Sequence, residues 1–158
     1  MSPTAAPRRV LLVDDARLDV ELALDAFNEL QLSGQVDVAR GGTEALDRLL
    51  GMGRYADRAE HPLPDLVLLD LKMPGVDGFE VLRQCKESPA TRRIPVIVLS
   101  SSTEDRDRAR AYDLGANSYL VKPISIDGFL DALRLVRDYW LGLDVGPPPA
   151  DRVPTVAQ

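Results

Sequence analysis

Residues 66–85 read LVLLDLKMPGVDGFEVLRQC, a short apolar run followed by an aspartate and then by a stretch with helical spacing. The first four residues are apolar without alternation, which is typical of a strand buried on both faces. Further on, Phe79, Leu82 and Cys85 recur at a spacing that puts them on one face of a helix. This stretch therefore predicts a strand followed by a helix, with Asp70 at the end of the strand.

The same alternation of a short apolar run and a helical stretch extends along the chain in both directions. It predicts an α/β fold, a doubly wound five-stranded parallel sheet with helices on its faces. The predicted strands are Arg9–Val13, Val36–Ala39, Leu66–Leu69, Pro95–Leu99 and Ser118–Val121. Helix signals follow each strand: the spacing of Val20, Leu24 and Phe27, a capping candidate at Thr43, the face at 79–85, capping boxes from Ser101 or Ser102, and an apolar stripe from Ile126 to Trp140.

The composition limits the class of protein. The chain has 158 residues, a single cysteine and a formal net charge of −6, which argues against a nucleic-acid partner. One cysteine excludes an internal disulfide and favours a reducing compartment. The longest apolar runs have about four residues, far short of the roughly twenty that a transmembrane helix needs. We expect a soluble, acidic, cytoplasmic protein without a membrane segment.

The sequence divides into three predicted parts. Residues 1–7 are expected to be a disordered N-terminus, residues 8–140 the folded domain, and residues 141–158 a Pro-rich C-terminal tail or arm. Within the domain, Gly51–Pro64 is predicted to be a long exposed loop. The tail contains apolar residues that favour packing across a second copy, and hence a homodimer: Leu141, Leu143 and Val145.

Polar residues follow the predicted strands at the point where each strand ends. Asp14 and Asp15 follow the first strand, Asp70 the third, Ser100 the fourth and Lys122 the fifth. Carboxyl ends of parallel strands share one edge, and a strand order of 2-1-3-4-5 makes the first and third strands neighbours. Three carboxylates would then converge, and oxygen ligands on an open rim suit Mg²⁺. With an amine and a hydroxyl nearby, the edge is equipped to handle a phosphoryl group.

Four motifs resemble the receiver domain of two-component response regulators. They are Val-Asp-Asp at 13–15, LLDLKMPGVDGFE at 68–80, IPVIVLS at 94–100 and GANSYLVKP at 115–123. The resemblance covers residues 8–140, and the order and spacing of the motifs are those of the family. It implies a flavodoxin-like (β/α)₅ fold with strand order 2-1-3-4-5.

The resemblance also implies a role for each matching residue. Asp70 would be the phospho-acceptor, and Mg²⁺ would lie on Asp14, Asp15, Asp70 and the backbone carbonyl of Lys72. The peptide between Lys122 and Pro123 resembles one that is cis in this family. The remaining implied roles are Ser100 as the switch hydroxyl, Tyr119 as the aromatic switch and Lys122 as the phosphate-binding lysine.

In such a protein a sensor histidine kinase donates the phosphoryl group, and the result is a change in protein–protein contacts. The chain is expected to be a stand-alone regulator. It is expected to catalyse only its own phosphorylation and dephosphorylation. The loop at Gly51–Pro64 and the Pro-rich tail resemble the single-domain regulators that accompany bacterial phytochrome kinases. The sequence thus predicts a bacteriophytochrome as the kinase.

Two other functions remain open. A hydrolase with an aspartyl-phosphate nucleophile would share the carboxylates, the Mg²⁺ and the lysine, but it typically has a second Asp where this chain has Lys72. A scaffold that keeps the fold without being phosphorylated is the other alternative. The residues also have plainer interpretations: Ser100–Ser102 could cap a helix, and Tyr119 could be an ordinary half-buried strand aromatic.

Four further features are predicted to have no function of their own. Gly51-x-Gly53-x-x-Ala56 resembles a dinucleotide fingerprint but follows a helix rather than a strand. His61 is expected to be a solvated loop residue, and Cys85 a small buried hydrophobe. The charges of Glu104–Arg110 are expected to form a solvated helix face, which in this family also mediates contacts.

Overall fold

The computed structural model describes residues 8–122 and 126–138, and all structural statements refer to these residues. The strands are β1 Val10–Val13, β2 Val36–Ala39, β3 Leu66–Leu69, β4 Val96–Ser100 and β5 Ser118–Val121. The helices are α1 Arg17–Glu29, α2 Gly42–Leu50, α3 Gly78–Glu87, α4 Asp105–Asp113 and α5 Ile126–Val136. Single 3₁₀ turns at Ser33–Gln35 and Gly53–Tyr55 follow α1 and α2.

The strands form one sheet in the order β2-β1-β3-β4-β5, and every neighbouring pair is parallel. The predicted doubly wound fold and strand order are therefore confirmed. Val13 lies opposite Leu69 in the β1–β3 ladder, so these two central strands end level with each other. The residues that follow them leave the same edge of the sheet side by side.

Two apolar layers cover the two faces of the sheet. Leu11, Val13 and Leu69 pack toward α2 and α3, whereas Val10, Leu12 and Leu68 pack toward α1 and α5. Because both faces are covered, inward and outward positions are equally apolar. All four residues of β1 and of β3 are buried, which explains why these strands read as continuous apolar runs.

The helix starts differ from the predicted ones. Thr43 lies inside α2, whose N-cap is Gly41 and has no capping side chain, so the predicted Thr43 cap is wrong. The first residue of the helix, Gly42, lies tightly against the loop after β3: a Cβ added there would lie 2.1 Å from the carbonyl oxygen of Val76. Neither predicted capping box forms at α4, where Glu104 is the N-cap and no side chain caps it.

The segment Gly51–Pro64 is exposed or half-buried at every residue except Tyr55, which anchors it to the domain. Tyr55 is only 3% exposed, and the guanidinium groups of Arg48 and Arg54 lie 4.5 and 4.8 Å from the centre of its ring. His61, predicted to be solvated, contacts the edge of the same ring at a centroid distance of 5.0 Å. Arg58 donates to the carbonyl groups of Arg48 and Leu49, the unpaired acceptors at the end of α2. The prediction of an exposed loop is therefore confirmed for most of the segment and wrong at Tyr55, which is buried.

Cys85 is buried, as predicted. The residue is 1% exposed, its thiol lies 3.6 Å from the carbonyl oxygen of Thr91, and the Thr91 hydroxyl donates to the carbonyl of Cys85 at 2.6 Å. Burial raises the pKa of the Cys85 thiol. It is thus a core residue with its backbone fixed by a neighbouring threonine.

Several predictions concern residues outside the described ones. They are the disordered N-terminus at 1–7, the peptide between Lys122 and Pro123, Trp140 and the tail at 141–158. Within the described part of α5, the apolar stripe is buried from Phe129 onward, while Ile126 is 43% exposed. No helix of the described residues is long and apolar enough to cross a membrane.

Candidate functional site

Three carboxylates meet at the carboxyl edge of the sheet. Asp14 follows β1 and Asp70 follows β3, and each continues its ladder by donating its backbone N–H, to Ala39 at 3.1 Å and to Val13 at 2.9 Å. One carboxylate oxygen from each of Asp14, Asp15 and Asp70 lies within 4.8 Å of the other two. We call these three residues the acidic cluster. Asp14 and Asp70 are buried, whereas Asp15 faces solvent.

Lys122 reaches this cluster from the end of β5. Its backbone N–H donates to the Ser100 carbonyl at 2.8 Å, which fixes the point from which its side chain leaves the sheet. Its amine lies 2.8 Å from Asp14 Oδ2 and 3.7 Å from Asp70 Oδ1. The structure thus brings together the four residues that the sequence predicted to meet: Asp14, Asp15, Asp70 and Lys122.

The same amine has a third partner, Asp19, which sequence reasoning did not identify. Asp19 Oδ2 lies 2.7 Å from Lys122 Nζ, and Asp19 is in the first turn of α1. Local spacing gave no signal for this contact, because Lys122 is 103 residues away from Asp19 in the chain.

The cluster alters the protonation of its members. The pKa of Asp70 is raised to about 6, mainly by burial and also by the charges of Asp14 and Asp15, while Lys122 and the Lys72 backbone N–H act in the opposite direction. Burial by itself lowers the pKa of Lys122, but its hydrogen bonds to Asp14 and Asp19 outweigh burial, so the pKa is raised. The amine therefore stays charged.

The donor set fits a divalent cation. Three carboxylates that close repel one another, and a cation between them removes the repulsion. Carboxylate oxygens on a partly open rim are hard ligands, which suit Mg²⁺ and related ions. The structure places one nearby amine, that of Lys122, against these three carboxylates, so a divalent cation would complete the neutralisation of the cluster.

Ser100 and Tyr119 both contact Ser102, in the segment between β4 and α4. Ser100 is fully buried as the last residue of β4, and its hydroxyl accepts from the Ser102 N–H at 3.1 Å. The Tyr119 hydroxyl donates to the Ser102 carbonyl at 2.9 Å, and its ring packs against the apolar layer under α2 and α3. The two predicted switch residues are therefore linked through one backbone segment.

Lys72 connects the segment after Asp70 to α4. Its amine lies 3.2 Å from Asp107 Oδ2, and the Ser102 hydroxyl donates to the same carboxylate oxygen at 2.7 Å. Asp107 is 7% exposed, so the solvated helix face predicted for 104–110 does not include this residue. Its neighbours Arg106 and Arg108 are exposed, as predicted.

Comparison with known proteins identifies the family. The family model of the response regulator receiver domain matches residues 10–134, which is most of the chain. The chain belongs to the response regulator receiver family. A receiver is the signalling module of a two-component system, and its partner is a histidine kinase.

Two relatives are similar to this receiver over most of their length. The probable methanogenesis regulatory protein FilR2 of Methanothrix harundinacea is 42% identical over 91% of this chain and 90% of its own. The response regulator Rcp1 of Synechocystis is 33% identical over 85% of this chain and 90% of its own.

Solved structures give the same result. The phosphorylated cyanobacterial phytochrome response regulator RcpA has a TM-score of 0.83 and 34% identity, covering 90% of this receiver and all of RcpA. The Mn²⁺-bound form of response regulator Rcp1 has a TM-score of 0.78 and 32% identity, covering 90% of this receiver and all of that chain. This receiver is therefore related to phytochrome response regulators, and one of these relatives has been crystallised with a divalent metal.

Proposed function

We propose that this receiver accepts a phosphoryl group from a histidine kinase onto Asp70, with Mg²⁺ held by Asp14, Asp15, Asp70 and the carbonyl of Lys72. The observation that carries the proposal is the buried Asp70 carboxylate with two further carboxylates within 4.8 Å and the Lys122 amine at 3.7 Å. Family membership supports it, because the site contains the residue types that phosphoryl transfer to a carboxylate requires.

In the proposed transfer, an oxygen of Asp70 forms the new bond to phosphorus while the bond from phosphorus to the kinase histidine nitrogen breaks. The imidazole leaves with its electron pair. Bound Mg²⁺ would supply charge neutralisation on the phosphoryl oxygens. Lys122, with its raised pKa, stays charged and can donate a hydrogen bond to a phosphoryl oxygen in place of a carboxylate. No group other than the acceptor carboxylate needs to act as the nucleophile.

The proposed switch starts from Ser100. Its hydroxyl, now an acceptor for the Ser102 N–H, would turn to donate to a phosphoryl oxygen. Ser102 would then lose a contact, and Ser102 also carries the hydrogen bonds to Tyr119 and Asp107. A local charge change at Asp70 would in this way reach α4 and alter its protein contacts.

The direct experiment is incubation of the full chain with acetyl phosphate and Mg²⁺, followed by intact-mass measurement. We expect a gain of one phosphoryl group per chain, and no gain when EDTA replaces Mg²⁺. Steady release of phosphate from an added phosphomonoester would instead favour the hydrolase. Absence of any mass gain under both conditions would favour the unphosphorylated scaffold.

A bacteriophytochrome is the proposed donor, since RcpA and Rcp1 show the family of regulators to which this receiver is related. We also propose a stand-alone regulator that acts by protein contact, because the chain covers 90% of the length of Rcp1. Its catalysis would be limited to its own phosphorylation and dephosphorylation. Phosphotransfer profiling against purified kinases tests the donor, and the fastest transfer is expected from a bacteriophytochrome.

The proposed homodimer depends on the segment at 141–158, with the domain itself proposed to span 8–140. The argument is the apolar content of this segment and its prolines, which lower the entropy lost on packing. We expect the full chain to have the mass of a dimer in light scattering and a chain ending at residue 140 to have that of a monomer. An unchanged mass would refute the role of the segment.

A further inference from the structure

We infer that Asp19 is a positioning residue, which holds the amine of Lys122 away from Asp70 and thereby sets how tightly the acidic cluster binds its cation. The inference rests on the proposed function, because it concerns the lysine and the cation of that same site. It concerns a residue outside the acidic cluster, whose carboxylate contributes no atom to the group of three.

The distances show how the amine of Lys122 is shared. An ammonium group has three donors. Asp19 Oδ2 at 2.7 Å and Asp14 Oδ2 at 2.8 Å are at hydrogen-bonding distance, whereas Asp70 Oδ1 at 3.7 Å is not. Lys122 is thus held by Asp14 of the acidic cluster and by Asp19 of α1. Its amine stays beyond hydrogen-bonding distance of Asp70, the proposed phospho-acceptor.

Asp14 cannot serve the lysine and a cation equally well. A cation in the cluster takes up the negative charge of Asp14 and weakens its attraction for the amine. Asp19 is not a member of the cluster, so its charge stays available to Lys122 when the cation binds. The carboxylate of Asp19 therefore offsets the positive charge of Lys122, which would otherwise repel the cation.

The cavity around the Lys122 amine offers it few other hydrogen-bond partners. A cavity of about 30 Å³ adjoins Lys122, Asp14 and Asp19. Its remaining lining is apolar: Leu12, Leu22, Ala23, Leu99 and Phe129. Among the described residues that line it, Asp14 and Asp19 are the only acidic ones. A lysine that loses Asp19 turns toward Asp14 and Asp70, the residues that the cation needs.

The test is calorimetric titration of Mg²⁺ into the full chain carrying Asp19→Asn, which keeps the shape of the side chain and removes its charge. We expect the Kd for Mg²⁺ to rise about tenfold, because the released Lys122 amine then competes with the cation for Asp14 and Asp70. Asp19→Glu restores the charge on a longer stem, and its Kd should return to within about twofold of the original chain.

Glu21→Gln is the matched control. Glu21 is also on α1 and loses the same charge, but it pairs with Arg17 at 3.1 Å on the surface. It should change the Kd by less than about twofold, since an exposed charge is screened. Equal effects of Asp19→Asn and Glu21→Gln would overturn the inference.

A second variant separates positioning from a general loss of negative charge. In a Lys122→Met background the amine is gone, so Asp19→Asn should change the Kd by no more than the Glu21→Gln control does. A full tenfold effect in that background would also refute the inference. If the original chain binds Mg²⁺ and gains a phosphoryl group while Asp19→Asn behaves as the control, the inference alone fails. If the original chain binds no Mg²⁺, the proposed function fails with it.

Discussion

Asp70→Asn is expected to lower phosphoryl transfer from a histidine kinase by at least about a thousandfold, because a carboxamide oxygen is not a competent nucleophile at phosphorus. The substitution keeps the size of the side chain, and the backbone N–H of residue 70 still donates to Val13. The sheet edge should therefore remain intact. Transfer of radiolabel from a phosphorylated kinase, resolved on a gel, measures the effect.

Asp37→Asn provides the comparison for this variant. Asp37 is also on a strand, but it pairs with Arg9 at 3.0 Å and lies outside the acidic cluster. It should transfer at nearly the original rate. If Asp70→Asn still acquired an acid-labile, alkali-labile phosphoryl group at the original rate, a different carboxylate would have to be the acceptor.

The second large effect concerns the stability of the metal-free protein. The pKa of Asp70 is raised from 3.8 to about 6, mainly by burial. The folded protein then binds this proton more tightly than the unfolded chain does, so the free energy of unfolding falls as the pH rises from about 4 to about 6. Above that range the buried charge costs about 2–3 kcal/mol.

Asp70→Asn removes this charge, so in EDTA its free energy of unfolding should exceed that of the original chain by about 2 kcal/mol at pH 7.5 and by little at pH 4. Urea unfolding at a series of pH values gives both curves. Added Mg²⁺ should stabilise the original chain and reduce the difference, because it binds the folded state. A difference that is the same at every pH would exclude Asp70 as its source.

The sequence predicted the fold and most of the site for a specific reason. Val13 and Leu69 end two strands that are buried on both faces, and such strands are easy to recognise from their uninterrupted apolar residues. Asp14 and Asp70 come directly after these two strand ends. A parallel sheet then brings the two carboxylates to one edge without any further information.

The residues that sequence reasoning missed or misjudged depend on contacts between distant segments. Asp19 is on a helix, and its partner Lys122 is 103 residues away in the chain. The capping signal at Thr43 was misleading because α2 begins one residue earlier, at Gly42, which lies against the Val76 carbonyl of a distant loop. Asp107 lies in a highly charged stretch, and only the approach of Lys72 and Ser102 explains its burial. The spacing of residues within one helix or strand does not predict these contacts between segments.

Cys85 makes this protein convenient for site-directed labelling. It is the one cysteine of the sequence, it is 1% exposed, and its raised pKa keeps the thiol protonated at neutral pH. Maleimide and methanethiosulfonate reagents react with thiolates. They should therefore leave Cys85 unmodified and label an engineered surface cysteine. A spin label at position 112 of α4, where Tyr112 is 48% exposed, could then report the motion of that helix without first removing the native thiol.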